Sequence, residues 1–298
     1  SGLLGGFLGP RYNPVVAEFV GDATNPRTYR PNDPYGGIKQ DCRFEIQGTG
    51  LPNGLTIDRV STRSSLLDQF NTSRRDLDKS KIGSSLDRFR QLAMSIIASP
   101  RLSEALDVSK EPAPLRNRYG HHLFGQSALL ARRLVESGSR LVSVFWDEFA
   151  VSCGTWDTHE KQTPRLRDEL CPGFDQAFTA LFEDLDDRGM LDETLVLCLT
   201  EHGRTPKAER RGGSLDGRGH WSKAYSCMFA GAGIREGNVI GKTDRDAAYV
   251  VDNPVSPNDV LHTIYHLLGI NSHRLIPDRL GRPLPLVADG EIVSDLLA

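Results

Sequence analysis

The sequence predicts an α/β fold in which helices flank a doubly wound, mainly parallel sheet. Three short apolar runs, at 140–146, 194–200 and 224–233, are rich in the β-branched and aromatic residues typical of buried strands. Segments with apolar residues at three- and four-residue spacing precede and follow these runs, which is the periodicity of amphipathic helices. Continuous apolar strands that alternate with helices are typical of parallel sheets covered on both faces.

The chain of 298 residues divides into two parts. Residues 1–60 are rich in Gly, Pro and Asn, and they predict an irregular segment that packs on the core. Residues 61–298 carry the periodic segments and predict the α/β domain itself. A unit of that size is within the usual range for a single α/β domain.

The first helical periodicity of the α/β domain covers residues 61–98. It predicts one or two amphipathic helices that begin near Ser61 or Thr62 and end before Pro100. The segment 103–120 follows, and its prolines predict a short helix that is interrupted soon after it begins.

Three longer helices are predicted farther along the chain. The segment 121–138 is strongly periodic, and the segment 164–188 is mostly helical, with Gly189 at its C-terminal end. The last helix is expected to begin after Ser256 as its N-cap, with Pro257 in the first helical position.

Composition and charge exclude several classes of protein. The formal net charge of −3, with 38% apolar and 25% charged residues, gives no basic stripe of the kind that nucleic acid requires. No apolar run approaches the roughly 20 residues of a membrane-spanning helix. The five cysteines are scattered and form no C-x-x-C pair, so a zinc ribbon or a disulfide framework is not expected.

Metal-type ligands occur in three segments, two of which follow predicted strands. Asp157 and His159 follow the first strand, Glu201 and His202 follow the second, and His220 lies in the glycine-rich "GRGHW". Residues i and i+2 of an extended segment point to the same side, so the first pair could share one ion. The adjacent second pair would have to bind in a turn or bridge different ions. Two carboxylates and three imidazoles favour zinc, iron or manganese over calcium or magnesium alone.

Two arginines flank these ligands. Arg204 and Arg218 carry guanidinium groups, which suit bidentate binding of phosphate, sulfate or carboxylate. The chain has no G-x-S-x-G elbow, no P-loop and no G-x-G-x-x-G after a strand. Thr158, Thr200 and Thr205 lie near the ligands, but nothing in their surroundings singles out one of them as a nucleophile.

Each of these fragments, taken alone, is also typical of a structural role. Asp157 could cap a turn, His159 and His220 could be loop residues, and both arginines could be ordinary surface residues. His262 and His266 stand four residues apart on the last helix, but they lack the carboxylate of an H-E-x-x-H motif and are expected to be structural. Only the conjunction of the three segments predicts a metal centre.

Longer motifs resemble a bacterial family known as domain of unknown function 1501. The resemblance rests on "LRNRYGHHLFGQSALLARRLVESGSRLVSVFW", "WDTH", "LDETLVLCLTEHGRTP", "GRGHW", "AGAGIREGNVIGKTD" and "DRLGRPLPLV", and it covers nearly the whole chain. That family is similar to the alkaline phosphatase and sulfatase superfamily. The resemblance implies a doubly wound, alkaline-phosphatase-like α/β core that lacks its usual N-terminal part here, with a metal centre at the strand ends.

The resemblance also implies roles for the ligand residues. The superfamily commonly holds two metals through an Asp/His pair, a second acid–His pair and a lone His. By their order in the chain, the matching residues here are Asp157, His159, Glu201, His202 and His220. One or two divalent ions are therefore expected, with zinc, manganese and calcium as the candidates. The usual nucleophile is expected upstream of Ser1.

Two positions depart from the pattern of the family. His202 stands where the narrower family often has Phe, which brings this chain closer to the Asp-His-Gly of the superfamily. Gly219 stands where Asp usually precedes the last histidine, which removes one carboxylate.

The resemblance implies metal-dependent hydrolysis of phosphate or sulfate esters, with an anionic small molecule or polysaccharide as substrate. It implies a periplasmic or secreted protein, and the missing front region implies an upstream fragment or a second copy of the chain as partner. The alternative is a secreted, non-catalytic binding or assembly module that retains the fold. Convergence of the five ligand side chains distinguishes the two.

Overall fold

The computed structural model describes residues 12–20, 43–46, 59, 62, 65, 99–146, 156–211, 213–278 and 280–298. The helices are α1 Pro100–Leu106, α2 Ala113–Tyr119, α3 Leu123–Glu136, α4 Gln162–Arg165, α5 Cys171–Asp187 and α6 Pro257–Leu267. A π-helical turn at Leu166–Leu170 joins α4 to α5, and short 3-10 turns lie at Val108–Lys110, Leu191–Glu193 and Ser294–Leu296.

The described strands pair two by two, and every pair is antiparallel. In chain order they are β1 Ala17–Val20, β2 Arg43–Ile46, β3 Leu195–Cys198, β4 Gly203–Arg204, β5 Glu209–Arg211, β6 Ser214–Gly217, β7 His220–Trp221, β8 Met228–Gly231, β9 Lys242–Thr243, β10 Val250–Asp252, β11 Leu275–Pro277 and β12 Pro283–Pro285. The pairs are β1–β2, β3–β8, β4–β7, β5–β6, β9–β10 and β11–β12.

Three of these pairs are nested inside one another and form a single long arm. The outermost pair is β3–β8, the middle pair is β4–β7 and the innermost pair is β5–β6. The chain thus runs out along the arm from Leu195 and returns along it to Gly231. We call this unit, residues 195–231, the nested arm. Three of the five predicted ligand residues lie within it: Glu201 and His202 between β3 and β4, and His220 on β7.

The nested arm explains why the mainly parallel sheet expected from the sequence is absent from the described parts of the chain. Two consecutive parallel strands need a long crossover, usually a helix, whereas antiparallel strands can be joined by a hairpin. Between Cys198 and Met228 the described chain forms ladders and no helix, so β8 returns antiparallel to β3. The doubly wound, alkaline-phosphatase-like arrangement stays a prediction.

Among the described residues, the first strand expected from the sequence has no ladder partner. Residues 141–146 alternate between exposed and half-buried positions, as an extended segment does, but they join none of the described sheets. A strand is defined by its ladder, and among the described residues this segment pairs with none. The strands predicted at 194–200 and 224–233 are confirmed as β3 and β8.

The helices predicted from 103 onward are confirmed, and their ends follow from local chemistry. α3 begins after His122, whose Nδ1 accepts from the Gly125 N–H at 3.1 Å. α6 begins with a capping box, in which Ser256 and Asp259 each accept a backbone N–H of the other. Gly189 follows α5 with φ +64°, a left-handed conformation that favours glycine. Among the described helices, none is both long and apolar enough to cross a membrane.

The core lies where α3 packs against α2 and α5. Leu129 and Tyr119 are fully buried there, with Val108 beside them. The β1–β2 pair also contributes, because Phe44 is buried in the same cluster and its ring meets Phe19 edge-on at 5.8 Å. The helices predicted at 61–98 lie outside the described residues, apart from single positions.

A buried arginine ties these helices together. Arg132 of α3 is 1% exposed and its Nε donates to Asp184 Oδ2 of α5 at 2.7 Å. Tyr119 of α2 donates its hydroxyl to the same oxygen at 2.9 Å. Arg132 Nη2 lies 2.8 Å from Glu111 Oε1, an ion pair whose angle falls short of a hydrogen bond. The buried pair of Arg132 and Asp184 thereby links α2, α3 and α5, and Arg132 also contacts Glu111 in the turn before α2.

Candidate metal centre

In the loop before α4, two predicted ligands lie on one side, and the side chains on the other side pack against the rest of the protein. Trp156 packs edge-on against Trp146 at 5.2 Å, and Thr158 is 1% exposed. Asp157 and His159 alternate with these anchors and point to the opposite side, as the i, i+2 spacing predicted. The nested arm supplies His220 from β7.

Three ligand-type atoms converge at this point. Asp157 Oδ1 lies 3.0 Å from His159 Nε2 and 3.1 Å from His220 Nε2, and the two Nε2 atoms lie 3.0 Å apart. The same three atoms form all three contacts, so they make a nearly equilateral triangle. We call these residues the Asp–His–His triad. The structure thus brings together members of two segments that are separated by the whole of α5 and much of the nested arm.

The dimensions of the Asp–His–His triad fit one face of a metal coordination polyhedron. Bonds of about 2.1 Å put neighbouring ligands about 3.0 Å apart in an octahedron and about 3.4 Å apart in a tetrahedron. The observed edges of 3.0–3.1 Å match the octahedral spacing and are shorter than the tetrahedral one. One carboxylate with two imidazoles is a donor set that zinc and manganese accept.

Arg204 holds the carboxylate of the triad. Its Nη2 donates to Asp157 Oδ1 at 2.7 Å and to the Trp156 carbonyl at 2.9 Å. Partial burial works to raise the pKa of Asp157, but the hydrogen bonds from Arg204 and His220 outweigh it and bring the pKa down to about 2. Asp157 is therefore ionised at neutral pH, as a metal ligand must be.

His159 is held neutral by its surroundings. Burial lowers its pKa below the ordinary imidazole value; Asp157 opposes this, whereas Arg204, His220 and Arg211 add to it. Neutral imidazole is the form that binds metals.

Arg211 is a member of this site that the sequence did not point to. It lies on β5, and its Nη1 is 2.7 Å from His159 Nδ1. Its guanidinium also passes close to Gly219, because a Cβ at that position would lie 3.1 Å from Arg211 Nη2. The Gly-Gly pair at 212–213 in the sequence is a turn signal that could have identified the hairpin carrying Arg211.

The second predicted pair lies beside the triad and not in it. The rings of His202 and His220 overlap, with centroids 4.1 Å apart and planes 31° apart. His202 Nδ1 donates to the Gly203 carbonyl at 3.0 Å, and its Nε2 lies 3.1 Å from Glu201 Oε1. Partial burial works to raise the pKa of Glu201. A backbone hydrogen bond and the neighbouring His202 outweigh this effect, so the pKa of Glu201 lies below its ordinary value.

Arg218, predicted to bind an anion, is engaged with the backbone. Its Nη1 donates to the carbonyls of Thr205 and Pro206, both at 2.8 Å. Thr205 in turn bridges to Gly219, whose N–H donates to the Thr205 hydroxyl at 3.0 Å. These bonds fix the turn that follows β4, and a role of Arg218 toward substrate stays a prediction.

His262 illustrates the structural alternative for a histidine. It is 1% exposed, and its Nε2 donates to the Ala288 carbonyl at 2.9 Å. Its Nδ1 therefore accepts from the Ser272 hydroxyl at 2.6 Å. His266 is exposed. The pair does not converge, and His262 fastens α6 to the C-terminal segment.

Comparison with known proteins identifies the family of this chain and gives no information on its activity. The family model described as "Protein of unknown function (DUF1501)" matches residues 3–297. Neither the comparison with curated proteins nor that with solved structures found a match. Since the family match covers nearly the whole chain, this protein belongs to that family.

Proposed function

We propose that this member of the family of unknown function 1501 binds a divalent metal ion at the Asp–His–His triad and hydrolyses phosphate or sulfate esters. The observation that carries the proposal is the triangle of Asp157 Oδ1, His159 Nε2 and His220 Nε2, with edges of 3.0–3.1 Å. These residues would hold the ion. When bound, it would supply Lewis-acid polarisation of the ester oxygen and a water of lowered pKa.

The protein residues around the triad have separate tasks in this proposal. Arg204 fixes the orientation of Asp157 and keeps it ionised, so that its oxygen is ready to act as a ligand. His202 stacks on His220 and restricts the rotation of that ring. The hydrogen bonds of Trp156 and Gly219 keep the loop and the arm in register.

Charge around the triad favours an anionic substrate over a neutral one. Arg204 lies within hydrogen-bond distance of Asp157, and Arg211 lies within hydrogen-bond distance of His159. These two guanidinium groups are balanced by Asp157 and by Glu209, which pairs with Arg211 at 3.2 Å, so the bound ion would supply the net positive charge that attracts phosphate and sulfate esters.

The proposal is tested by metal titration followed by an ester screen. Isothermal titration calorimetry with zinc, manganese and calcium should show binding to the wild-type chain, and Asp157→Asn or His220→Ala should weaken it by about tenfold or more. His266→Ala is the matched control, because it removes an exposed imidazole outside the site. Aryl phosphates and aryl sulfates are then offered to the metal-loaded protein.

The outcomes separate the candidate functions. Metal binding that depends on Asp157, together with ester hydrolysis, supports the hydrolase. Metal binding without hydrolysis of either ester class leaves a structural metal site in a binding or assembly module. Equal metal affinity in the wild type and in Asp157→Asn would overturn the assignment of the triad.

A further inference from the structure

Arg211 fixes which nitrogen of His159 carries the proton. A guanidinium has only N–H donors and no acceptor, so His159 Nδ1, at 2.7 Å from Arg211 Nη1, must accept this hydrogen bond. In a neutral imidazole the other nitrogen then carries the hydrogen. That nitrogen, Nε2, faces Asp157 Oδ1 and His220 Nε2, both at 3.0 Å. His159 is thus a donor toward the triad while Arg211 remains in place.

A metal ion makes the opposite demand on the same ring. Coordination through Nε2 needs the lone pair of that atom, and the neutral ring then carries its hydrogen on Nδ1. Nδ1 would become a donor facing the donors of Arg211. Coordination through Nδ1 instead would use the lone pair that Arg211 now occupies. In either case the hydrogen bond between Arg211 and His159 cannot coexist with metal binding by His159.

We propose that metal coordination by His159 releases Arg211, and that the released guanidinium binds the tetrahedral oxyanion of the substrate. This inference rests on the metal binding proposed above. It adds that binding of the anion depends on prior binding of the metal, a dependence that we call the linkage. Arg211 is free to reorient, because its side chain is 42% exposed and its other hydrogen bond runs to exposed Glu209 at 3.2 Å. The missing side chain at Gly219 leaves room beside the guanidinium.

The chemistry of the released group fits phosphate or sulfate. A guanidinium offers a planar fork of donors that matches two oxygens of a tetrahedral anion. Arg204 differs from Arg211 because its Nη2 is held by Asp157 and by the Trp156 carbonyl, contacts that metal binding by His159 would leave in place. The anion would therefore meet Arg211 only after the metal has bound, which orders the two binding events.

The first experiment measures metal affinity by calorimetry in the wild type, in Arg211→Gln and in Arg210→Gln. Gln removes the guanidinium, and its carboxamide can turn its oxygen toward Nδ1–H as an acceptor, so Arg211→Gln should bind zinc or manganese about tenfold more tightly than the wild type. Arg210→Gln removes the same charge from the neighbouring position and should change affinity much less. Equal gains in both variants would mean that charge alone acts, and would overturn the inference.

The second experiment follows the tautomer and the anion. Long-range proton–nitrogen NMR spectra should show the Nε2–H form of His159 without metal and the Nδ1–H form with metal. Inorganic phosphate and sulfate should bind the metal-loaded wild type at least about tenfold more tightly than metal-loaded Arg211→Gln. An Nδ1–H tautomer in the metal-free protein, or equal anion affinity in the two loaded proteins, would overturn the inference.

The two proposals fail in different ways. If no variant binds metal, the proposed metal centre and the linkage both fall. If the wild type binds metal but Arg211→Gln gains nothing beyond Arg210→Gln, the metal centre stands and only the linkage falls.

Discussion

Replacing Arg132 by Met tests whether one buried guanidinium holds the helical core together. Met replaces the apolar stem of the side chain and removes the guanidinium with its charge and its donors. Arg132 is 1% exposed and contacts Asp184 at 2.7 Å and Glu111 at 2.8 Å. Removing one partner of a buried ion pair leaves an uncompensated charge and typically costs about 3–5 kcal/mol.

The remaining contacts place the expected loss at the lower end of that range. Asp184 keeps a hydrogen bond from Arg188 at 2.8 Å, and Glu111 keeps its ion pair with Arg133. Neither acid is therefore left without a cation when Arg132 is removed. We expect Arg132→Met to lower the free energy of unfolding by about 3 kcal/mol.

Urea unfolding followed by circular dichroism measures this loss. Arg118→Met is the matched control, because Arg118 is 38% exposed and its ion pairs with Glu183 and Asp187 are 3.3–3.4 Å long. Surface pairs of that kind contribute about 0–1 kcal/mol. A loss for Arg132→Met no larger than that for Arg118→Met would refute the reasoning.

Three further changes have defined outcomes. In Gly203→Ala the new Cβ would lie 2.1 Å from the Ala224 carbonyl, so the β4–β7 pair must shift; we expect a loss of about 1–3 kcal/mol in urea unfolding and weaker metal binding. Burial raises the pKa of Glu169 from 4.5 to about 7, because the folded protein favours the neutral carboxyl group. The stability that this group contributes is therefore complete below pH 4.5 and is lost as the pH rises toward 7. Glu169→Gln should accordingly be more stable than the wild type above pH 7, by roughly 1–3 kcal/mol, and equal to it at pH 4; a constant difference across this range would contradict the assignment. His262→Leu leaves the buried Ser272 hydroxyl without its partner and should lower the melting temperature, at a cost of about 2–4 kcal/mol, with metal binding unchanged.

Local signals in the sequence predicted the helices well. Ser256 and Pro257 marked the start of α6, and Gly189 marked the end of α5, because caps depend on residues close in the chain. The π-helical turn before α5 was not expected, because the periodic pattern of 164–188 predicts a regular α-helix there. The strand expected at 140–146 has no partner among the described residues: apolar alternation favours an extended chain, but a ladder also needs a neighbour.

The candidate site could be predicted only in part. The i, i+2 spacing of Asp157 and His159 placed both side chains on one side, and the structure confirms it. His220 joins them because β7 pairs with β4 in a register that sets Arg204 opposite His220, and that register is a property of tertiary structure. Arg211 reaches His159 from yet another ladder, so no linear motif could reveal the contact.

The nested arm also has a consequence for the order in which the protein folds. The β5–β6 hairpin closes the shortest loop, and each pair that forms shortens the loop that the next must close. Contacts between residues near in sequence form fastest, so the arm would assemble from its tip toward its base. Arg211 on β5 would then be positioned before β7 pairs, so that His220 joins the triad next to a guanidinium that is already in place.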